Sequence, residues 1–96
     1  MRIRYLRNAE ADLLAIHSTI ADHNPRAADR LIDRIRSSVL RLRDYPESSP
    51  LRETLGRGIR SIPISSYVVY FRADADCVRI IRVLHSARDA EAIFRT

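Results

Sequence analysis

Two amphipathic helical segments joined by Asn24-Pro25 restrict the possible folds of this chain more than any other feature. Asn24 is a favourable N-cap, and Pro25 is tolerated at the first helical position because its missing N–H would have no helical partner there. In the segment that follows, apolar residues recur at spacings of one, three and four; they are Ala28, Leu31, Ile32, Ile35, Val39 and Leu42. So short a joint predicts an antiparallel helical hairpin, and the hairpin needs a further layer to cover its apolar faces.

The first helix of the pair is predicted to lie between Asn8, as its N-cap, and His23. Glu10 and Asp12 then fall in the first turn, where the helix dipole favours acidic side chains. The apolar face of this helix consists of Leu13, Ile16 and Ile20. Ahead of the helix, residues 2–6 alternate charged with apolar side chains, which is typical of a short, half-buried strand.

The second half of the chain has the sequence pattern of strands. Residues 44–58 contain two prolines and both glycines and are predicted to form a loop. Strands are expected at residues 59–64, 67–72 and 77–84, and their short connections favour an antiparallel meander. The tail is expected to form one short helix. The predicted fold is therefore α+β, in the order β-α-α-β-β-β with a short C-terminal helix. The helical hairpin packs on one face of a mainly antiparallel sheet, and residues 1–96 form a single domain.

All 17 basic residues of the chain are arginines, and with 12 acidic residues they give a net charge of +5 and a pI near 10.3. The Arg guanidinium is permanently charged and grips a phosphate or a carboxylate through two parallel hydrogen bonds. The charge therefore points to an acidic partner, which can be nucleic acid, a nucleoprotein or an acidic protein. Codon bias explains the absence of lysine equally well, so this absence excludes only mechanisms that need a lysine.

Metal, cofactor and membrane functions have no support in the sequence. Cys77 is the single cysteine, so neither an internal disulfide nor a thiolate cluster can form. His17, His23 and His85 lie in separate contexts without the spacing of metal ligands. We therefore expect no metal and no cofactor. The chain also lacks an apolar signal-peptide core and a membrane-length apolar run, so we expect a cytoplasmic protein with no membrane partner.

Arginines concentrate in the predicted sheet half, where tyrosine and histidine side chains are interleaved with them. These arginines are Arg52, Arg57, Arg60, Arg72, Arg79, Arg82 and Arg88. Arg82 is the most informative because it interrupts the apolar run 78–84, and a charge there is costly to bury unless it is paired or faces a groove. Two interpretations of Arg82 remain open: contact with an acidic partner, or a salt bridge to Asp74, Asp89 or a helix acid.

The order of several short motifs resembles that of ParE-like toxins, which belong to the ParE/RelE superfamily of type II toxin–antitoxin systems. The run NPRAADRLIDRI resembles their second helix, which starts at an Asn-Pro pair. The pair Ile59-Arg60, the run YVVYF from Tyr67 to Phe71 and the run IIRVLH from Ile80 to His85 resemble motifs of their second, third and fourth strands. The resemblance covers nearly the whole chain.

The resemblance implies the compact fold of these toxins, no cofactor, and a ParD-like antitoxin that wraps and neutralises the toxin. It also implies a large macromolecular target. ParE-like members inhibit DNA gyrase and trap it on cleaved DNA, whereas RelE-like members enter the ribosomal A site and cleave messenger RNA. The interpretation that we favour is a gyrase inhibitor without a catalytic group of its own, for which direct nucleic-acid contact is secondary.

Ribosome-dependent cleavage of messenger RNA is the main alternative. Such a reaction needs a base for the 2′-OH, an acid for the leaving oxygen and positive charge for the phosphorane. Glu53 and His85 can supply the proton transfers, and Arg60 and Arg82 correspond to the arginines that clamp phosphate in the family. The lysines and the late tyrosine of many RelE-like toxins are missing, since the last tyrosine is Tyr70. A nucleic-acid-binding module without toxicity is a third class.

The resemblance and the arginine pattern together define two sets of candidate binding residues. For the target they are Arg57, Arg60, Tyr67, Arg82, His85 and Arg88. For the antitoxin they are Leu14, Ile32, Arg60 and Arg82, because Leu14 and Ile32 flank the main apolar stripes and leave apolar surface for an amphipathic segment.

Overall fold

One mixed sheet with two helices on one face forms the body of the molecule. The computed structural model describes residues 1–95. In chain order its elements are β1 (Arg2–Tyr5), α1 (Arg7–Ala21), α2 (Pro25–Leu40), β2 (Arg60–Ile64), β3 (Tyr67–Ala73), β4 (Cys77–His85) and α3 (Ala90–Arg95). The strand order is β1-β4-β3-β2, with β1 parallel to β4 and the other neighbours antiparallel. The predicted α+β class, element order and antiparallel meander are confirmed.

The helical hairpin forms as the sequence predicts. Asn24 Oδ1 accepts a hydrogen bond from the N–H of Ala27 at 3.1 Å, which satisfies one of the free donors at the start of α2. α1 ends at Ala21, two residues before the predicted limit at His23. Both helices pack against β2, β3 and β4 in one core, to which they contribute the buried side chains of Ala9, Leu13, Ile35 and Val39. Burial of each large apolar side chain stabilises the fold by about 1.5–3 kcal/mol.

α1 begins two residues earlier than predicted, and the prediction of Asn8 as its N-cap is wrong. The cap is Leu6, whose N–H donates to the carbonyl of Ile80 at 2.9 Å and whose carbonyl accepts from the N–H of Glu10 at 3.0 Å. β1 therefore runs directly into the helix, because pairing with β4 fixes the change of backbone direction without a capping side chain. Asp12 consequently lies in the second turn of α1.

The two faces of the sheet are covered unequally. The segment between α2 and β2 is a loop with short helical turns at Arg41–Arg43 and Pro46–Ser48. The end of this loop and α3 cover part of the opposite face, away from α1 and α2. A second, smaller core lies there, and its buried members are Leu55, Ile59, Tyr70, Leu84 and Ala90. We call the two sides the helix face and the loop face. Every strand boundary agrees with its prediction to within one residue.

β4 contains a β-bulge on the part of the strand against which α1 packs. Tyr70 pairs with Arg82 while Phe71 pairs with Ile80, so β4 carries one extra residue at this point. Pairing with β1 ends at the same level, at Ile80, and leaves the next stretch of that β4 edge without a neighbouring strand. α1 packs against β4 there.

Asp12 of α1 supplies the missing hydrogen-bond partner at this edge. Its Oδ2 atom accepts from the backbone N–H of Val83 and from Arg82 Nε, and its Oδ1 atom accepts from Arg82 Nη2, each at 2.8 Å. Both side chains are largely buried, with 13% of Asp12 and 23% of Arg82 exposed. The hydrogen bond to Asp12 raises the pKa of Arg82 above its ordinary value. Of the two interpretations of Arg82, the salt bridge to a helix acid is confirmed.

Replacing Asp12 with alanine should destabilise the fold, because the Arg82 guanidinium and the Val83 N–H lose their partner in a largely buried position. We expect Asp12→Ala to lower the free energy of unfolding by about 2–4 kcal/mol, measured as a lower urea midpoint at an unchanged m-value. The matched control is Asp33→Ala in α2, since the Asp33 side chain is exposed and forms no hydrogen bond or ion pair with other residues of the segment 1–95. Its effect should stay within about 0.5 kcal/mol. Equal effects of the two substitutions would contradict this role of Asp12.

Candidate functional site

Two of the predicted binding arginines, Arg82 and Arg60, are engaged inside the molecule. Arg82 is held by Asp12 at the bulge. Arg60 Nη1 donates to the backbone carbonyl of Ser49 at 2.6 Å and to that of Glu47 at 3.2 Å, and it thereby holds the loop before β2 against the edge of the sheet. Both guanidinium groups therefore have a structural role.

Tyr67, His85 and Arg88 lie together at one end of the sheet, where they line a shallow groove of about 240 Å³ against α1. We call it the His85 groove. The rings of Tyr67 and His85 meet edge to face, with their centroids 5.2 Å apart. The N–H of Ala87 donates to His85 Nδ1 at 3.0 Å, so the proton of the neutral imidazole lies on Nε2. The structure thus brings three of the predicted target-binding residues into one groove.

Glu53 lies on the other side of the sheet from the His85 groove. Its two carboxylate oxygens each accept from the N–H of Gly58 at 3.4 Å, in a loop whose Leu55 and Ile59 side chains pack on the loop face. The φ angle of Gly58 is +74°, which favours glycine and sets a tight turn beside the exposed Arg57. The acid–base pair considered for a ribonuclease is therefore not assembled in this structure.

Three arginines on adjacent strands stand side by side on the loop face, an arrangement that sequence reasoning missed. Arg4 of β1 is in register with Arg79 of β4, and Arg79 is in register with Arg72 of β3. Such partners point to the same side of strands that are about 4.8 Å apart. We call Arg4, Arg79 and Arg72 the arginine row. The alternation of Arg2 and Arg4 with apolar residues indicates that both face one way, but no local signal predicts the parallel pairing of β1 with β4.

Like charges on neighbouring strands destabilise a sheet, so the arginine row has an electrostatic cost. Asp74 offsets part of this cost through an ion pair with Arg79, and the hydrogen bond from Arg79 lowers the pKa of Asp74. Arg72 Nε donates to the backbone carbonyl of Arg57 at 2.8 Å, whereas the side chain of Arg4 forms no hydrogen bond or ion pair within residues 1–95. A cavity of about 320 Å³ opens beside Arg4 and Arg79. The row is thus an exposed strip of positive charge on the sheet.

Leu14 and Ile32, which were predicted to bind the antitoxin, line one groove between α1 and α2. This helix groove has a volume of about 430 Å³ and a mainly apolar lining, and 73% of Leu14 is exposed. Opposite charges meet at its rim, where Arg36 Nη2 donates to Glu10 Oε1 at 3.4 Å. The two structural arginines predicted alongside Leu14 and Ile32 do not line this groove.

The described part of the chain offers neither a metal-binding cluster nor a membrane-spanning helix. Within residues 1–95, no cluster of three histidine, cysteine or acidic side chains is placed to hold a metal ion. Cys77 is a buried free thiol at the start of β4. None of the helices in this range combines the length and the apolarity needed to cross a bilayer.

Comparison with known proteins identifies the family. The family described as the ParE toxin of type II toxin–antitoxin systems matches residues 3–90. Toxin RelE2 of Caulobacter vibrioides is 34% identical over 80 residues, which are 83% of this chain and 89% of that protein. A solved structure of the chromosomal ParDE toxin–antitoxin system from P. aeruginosa shares the fold, with a TM-score of 0.77 and 23% identity over 88% of this chain and 95% of that chain. The chain therefore belongs to the ParE toxin family of type II toxin–antitoxin systems, as the order of its sequence motifs indicated.

Proposed function

We propose that this toxin inhibits DNA gyrase by trapping gyrase–DNA cleavage complexes, and that a ParD-like antitoxin neutralises it in the cytoplasm. Membership of the ParE family supports a partnership with an antitoxin. The observation that carries the gyrase proposal is the arginine row, which offers binding charge on an exposed sheet face. The proposed action is to hold the target, not to cut it.

The arginine row suits a target made of protein and DNA. Gyrase on DNA presents phosphates and acidic side chains, and the guanidinium fork matches both groups. Because the three side chains project from a sheet, their backbone does not have to become ordered on binding. The three arginines repel one another in the free toxin. Anionic groups of a target would neutralise this charge, and the loss of repulsion would add to the free energy of binding.

The separation of Glu53 from the His85 groove supports the same proposal. A general base must come within about 2.6–3.2 Å of the proton that it removes, directly or through one water. Glu53 is engaged with Gly58 on the loop side of the sheet, whereas the His85 groove opens against α1. Proton transfer at His85 would therefore have to proceed without this carboxylate.

Ribosome-dependent cleavage of messenger RNA is the second candidate function, and the His85 groove is the observation that favours it. The Nε2 atom of His85 carries the proton of the neutral ring, and Arg88 adds positive charge beside it. The Caulobacter relative is named Toxin RelE2, after the other branch of the superfamily.

The helix groove is the proposed binding surface for the antitoxin. Its apolar lining fits the apolar side of an amphipathic segment, and the charges at its rim can pair with the polar side. Leu14 is a large apolar side chain left mostly in water by the toxin alone, so burial under a partner would stabilise the complex.

Removing two cations from the arginine row should weaken gyrase inhibition while the toxin stays folded. We expect Arg4→Ala/Arg72→Ala to require at least about tenfold more toxin for equal inhibition of supercoiling, because each charge-assisted hydrogen bond that is lost costs about 1.5–3 kcal/mol. Relief of repulsion within the row should keep the urea midpoint close to that of the unmodified toxin. Arg7→Ala/Arg95→Ala removes the same charge from exposed positions outside the row and should remain potent. Full potency of the folded row variant would rule out this surface.

A charge placed in the helix groove should weaken antitoxin binding. We expect Leu14→Asp to raise the Kd of the toxin–antitoxin complex at least about tenfold, because the contact would bury an unpaired carboxylate against apolar groups. Leu51→Asp is the matched control, since Leu51 is an exposed leucine outside the groove. Titration calorimetry with the antitoxin encoded beside the toxin measures both values. If the two variants bind the antitoxin equally well, the helix groove is not its binding surface.

A further inference from the structure

A cavity of about 560 Å³ lies where the end of α2 meets the turn between β2 and β3. Hydroxyl and guanidinium groups form much of its wall, contributed by Arg34, Ser37, Ser38, Arg41, Ser48 and Ser65. Ile62 and Pro63 of β2 add apolar surface. None of its lining residues is acidic. Donor groups beside apolar surface, with no carboxylate, suit an anionic ligand that also has an apolar part.

The two arginines of this cavity keep most of their donors free. Arg41 Nη2 donates to Ser38 Oγ at 3.1 Å, which orients the guanidinium and leaves its other N–H groups available. The side chain of Arg34 forms no hydrogen bond or ion pair with any residue from 1 to 95. Arg41 directly follows the end of α2, seven residues after Arg34, a separation of two helical turns and a rise of about 10.5 Å. Cations at this spacing can hold an extended anion at two points. A single phosphate ion is too small to contact both arginines at once.

Positive charge continues along α2 beyond the cavity. Arg26 and Arg30 precede Arg34 at spacings of four, so these three lie on one side of α2, and Arg41 follows directly after the helix end. All four are exposed. Asp29 and Asp33 lie one helical turn after Arg26 and Arg30 on this exposed side, but neither aspartate lines the cavity. The part of the stripe that faces the cavity therefore carries arginines and no carboxylate.

Tyr45 places an aromatic ring at the cavity while 74% of the residue stays exposed. Its backbone is fixed, because its carbonyl accepts from the Ser48 N–H at 3.2 Å and from Ser48 Oγ at 2.8 Å. A ring in this setting offers a free face for stacking with a nucleic-acid base.

Ser65 contributes backbone strain to the cavity wall. Its φ angle is +56° in the two-residue turn between β2 and β3, where glycine would be less strained. Strained residues of this kind are concentrated at ligand-binding positions. Serine keeps a hydroxyl group at the cavity that glycine would not supply.

We propose that this cavity and the arginine side of α2 bind single-stranded nucleic acid, with phosphates on Arg34 and Arg41 and an unpaired base stacked on Tyr45. The exposed ring separates this ligand from other anions. An acidic peptide would use the arginines but has no need of a stacking surface, and the bases of a duplex are already stacked on one another. The site is distinct from the arginine row and the helix groove, so it does not depend on the gyrase proposal.

Fluorescence anisotropy of the purified toxin with a labelled oligothymidylate of about 12 nucleotides, within the usual range of single-strand footprints, tests the proposal. Arg34→Ala/Arg41→Ala should weaken binding at least about tenfold. The same variant should reduce the salt dependence of log K by about 1.4, because each phosphate contact to a single strand contributes about 0.7. Tyr45→Ala should weaken binding about tenfold with an unchanged salt dependence, and Tyr45→Phe should bind as the unmodified toxin does.

Arg7→Ala/Arg95→Ala serves as the charge control, because it removes two exposed arginines that do not line the cavity. It should retain most of the affinity, and urea midpoints establish that every variant is folded. The proposal would be overturned by cavity variants that bind as tightly as the control, or by a duplex that binds more tightly than the single strand and is insensitive to Tyr45→Ala. A polyglutamate peptide that binds in preference to the oligothymidylate would also overturn it. Absence of any oligothymidylate binding would overturn it as well.

Discussion

The contact between Asp12 and the bulge of β4 holds the rest of the structure in place. β1 ends where α1 begins, so one edge of β4 loses its strand partner partway along, and the Asp12 carboxylate replaces that partner for Val83 and Arg82. A single side chain thus joins residues that are 70 positions apart in the chain. Because α2 packs on α1 and shares its core, the shape of the helix groove also depends on this contact.

The arginines of this chain fall into two groups, those that stabilise the fold and those that are available for binding. Arg82 and Arg60 are engaged by internal acceptors at the two places where the chain leaves regular strand pairing, the bulge and the loop before β2. Arg4 and Arg34 have no such acceptor among residues 1–95, and they belong to two separate surfaces, one on the loop face and one on α2. Permanent charge and a planar fork suit both roles. The exposed guanidinium groups without an internal acceptor are available to bind anionic groups.

The features that sequence reasoning predicted are those with local signals. Helical spacing and the Asn24 cap define the hairpin, and the same spacing puts Leu14 on an exposed helix face. Features that depend on two distant segments could not be predicted. Asn8 is not a cap because sheet pairing, not a side chain, starts α1. Arg4 and Arg79 become neighbours only through the parallel pairing of the first and last strands.

The proposed action, in which the toxin holds gyrase on DNA through exposed arginines and does not itself cut RNA, is tested most directly by two parallel assays. Purified toxin is added to gyrase with supercoiled DNA and to translating ribosomes. We expect stabilised cleavage complexes, intact messenger RNA, and a gyrase effect that His85→Ala leaves largely unchanged. Cleaved messenger RNA with unaffected supercoiling, and a cleavage rate that His85→Ala lowers by about 10²–10⁴, would contradict the proposed action on gyrase.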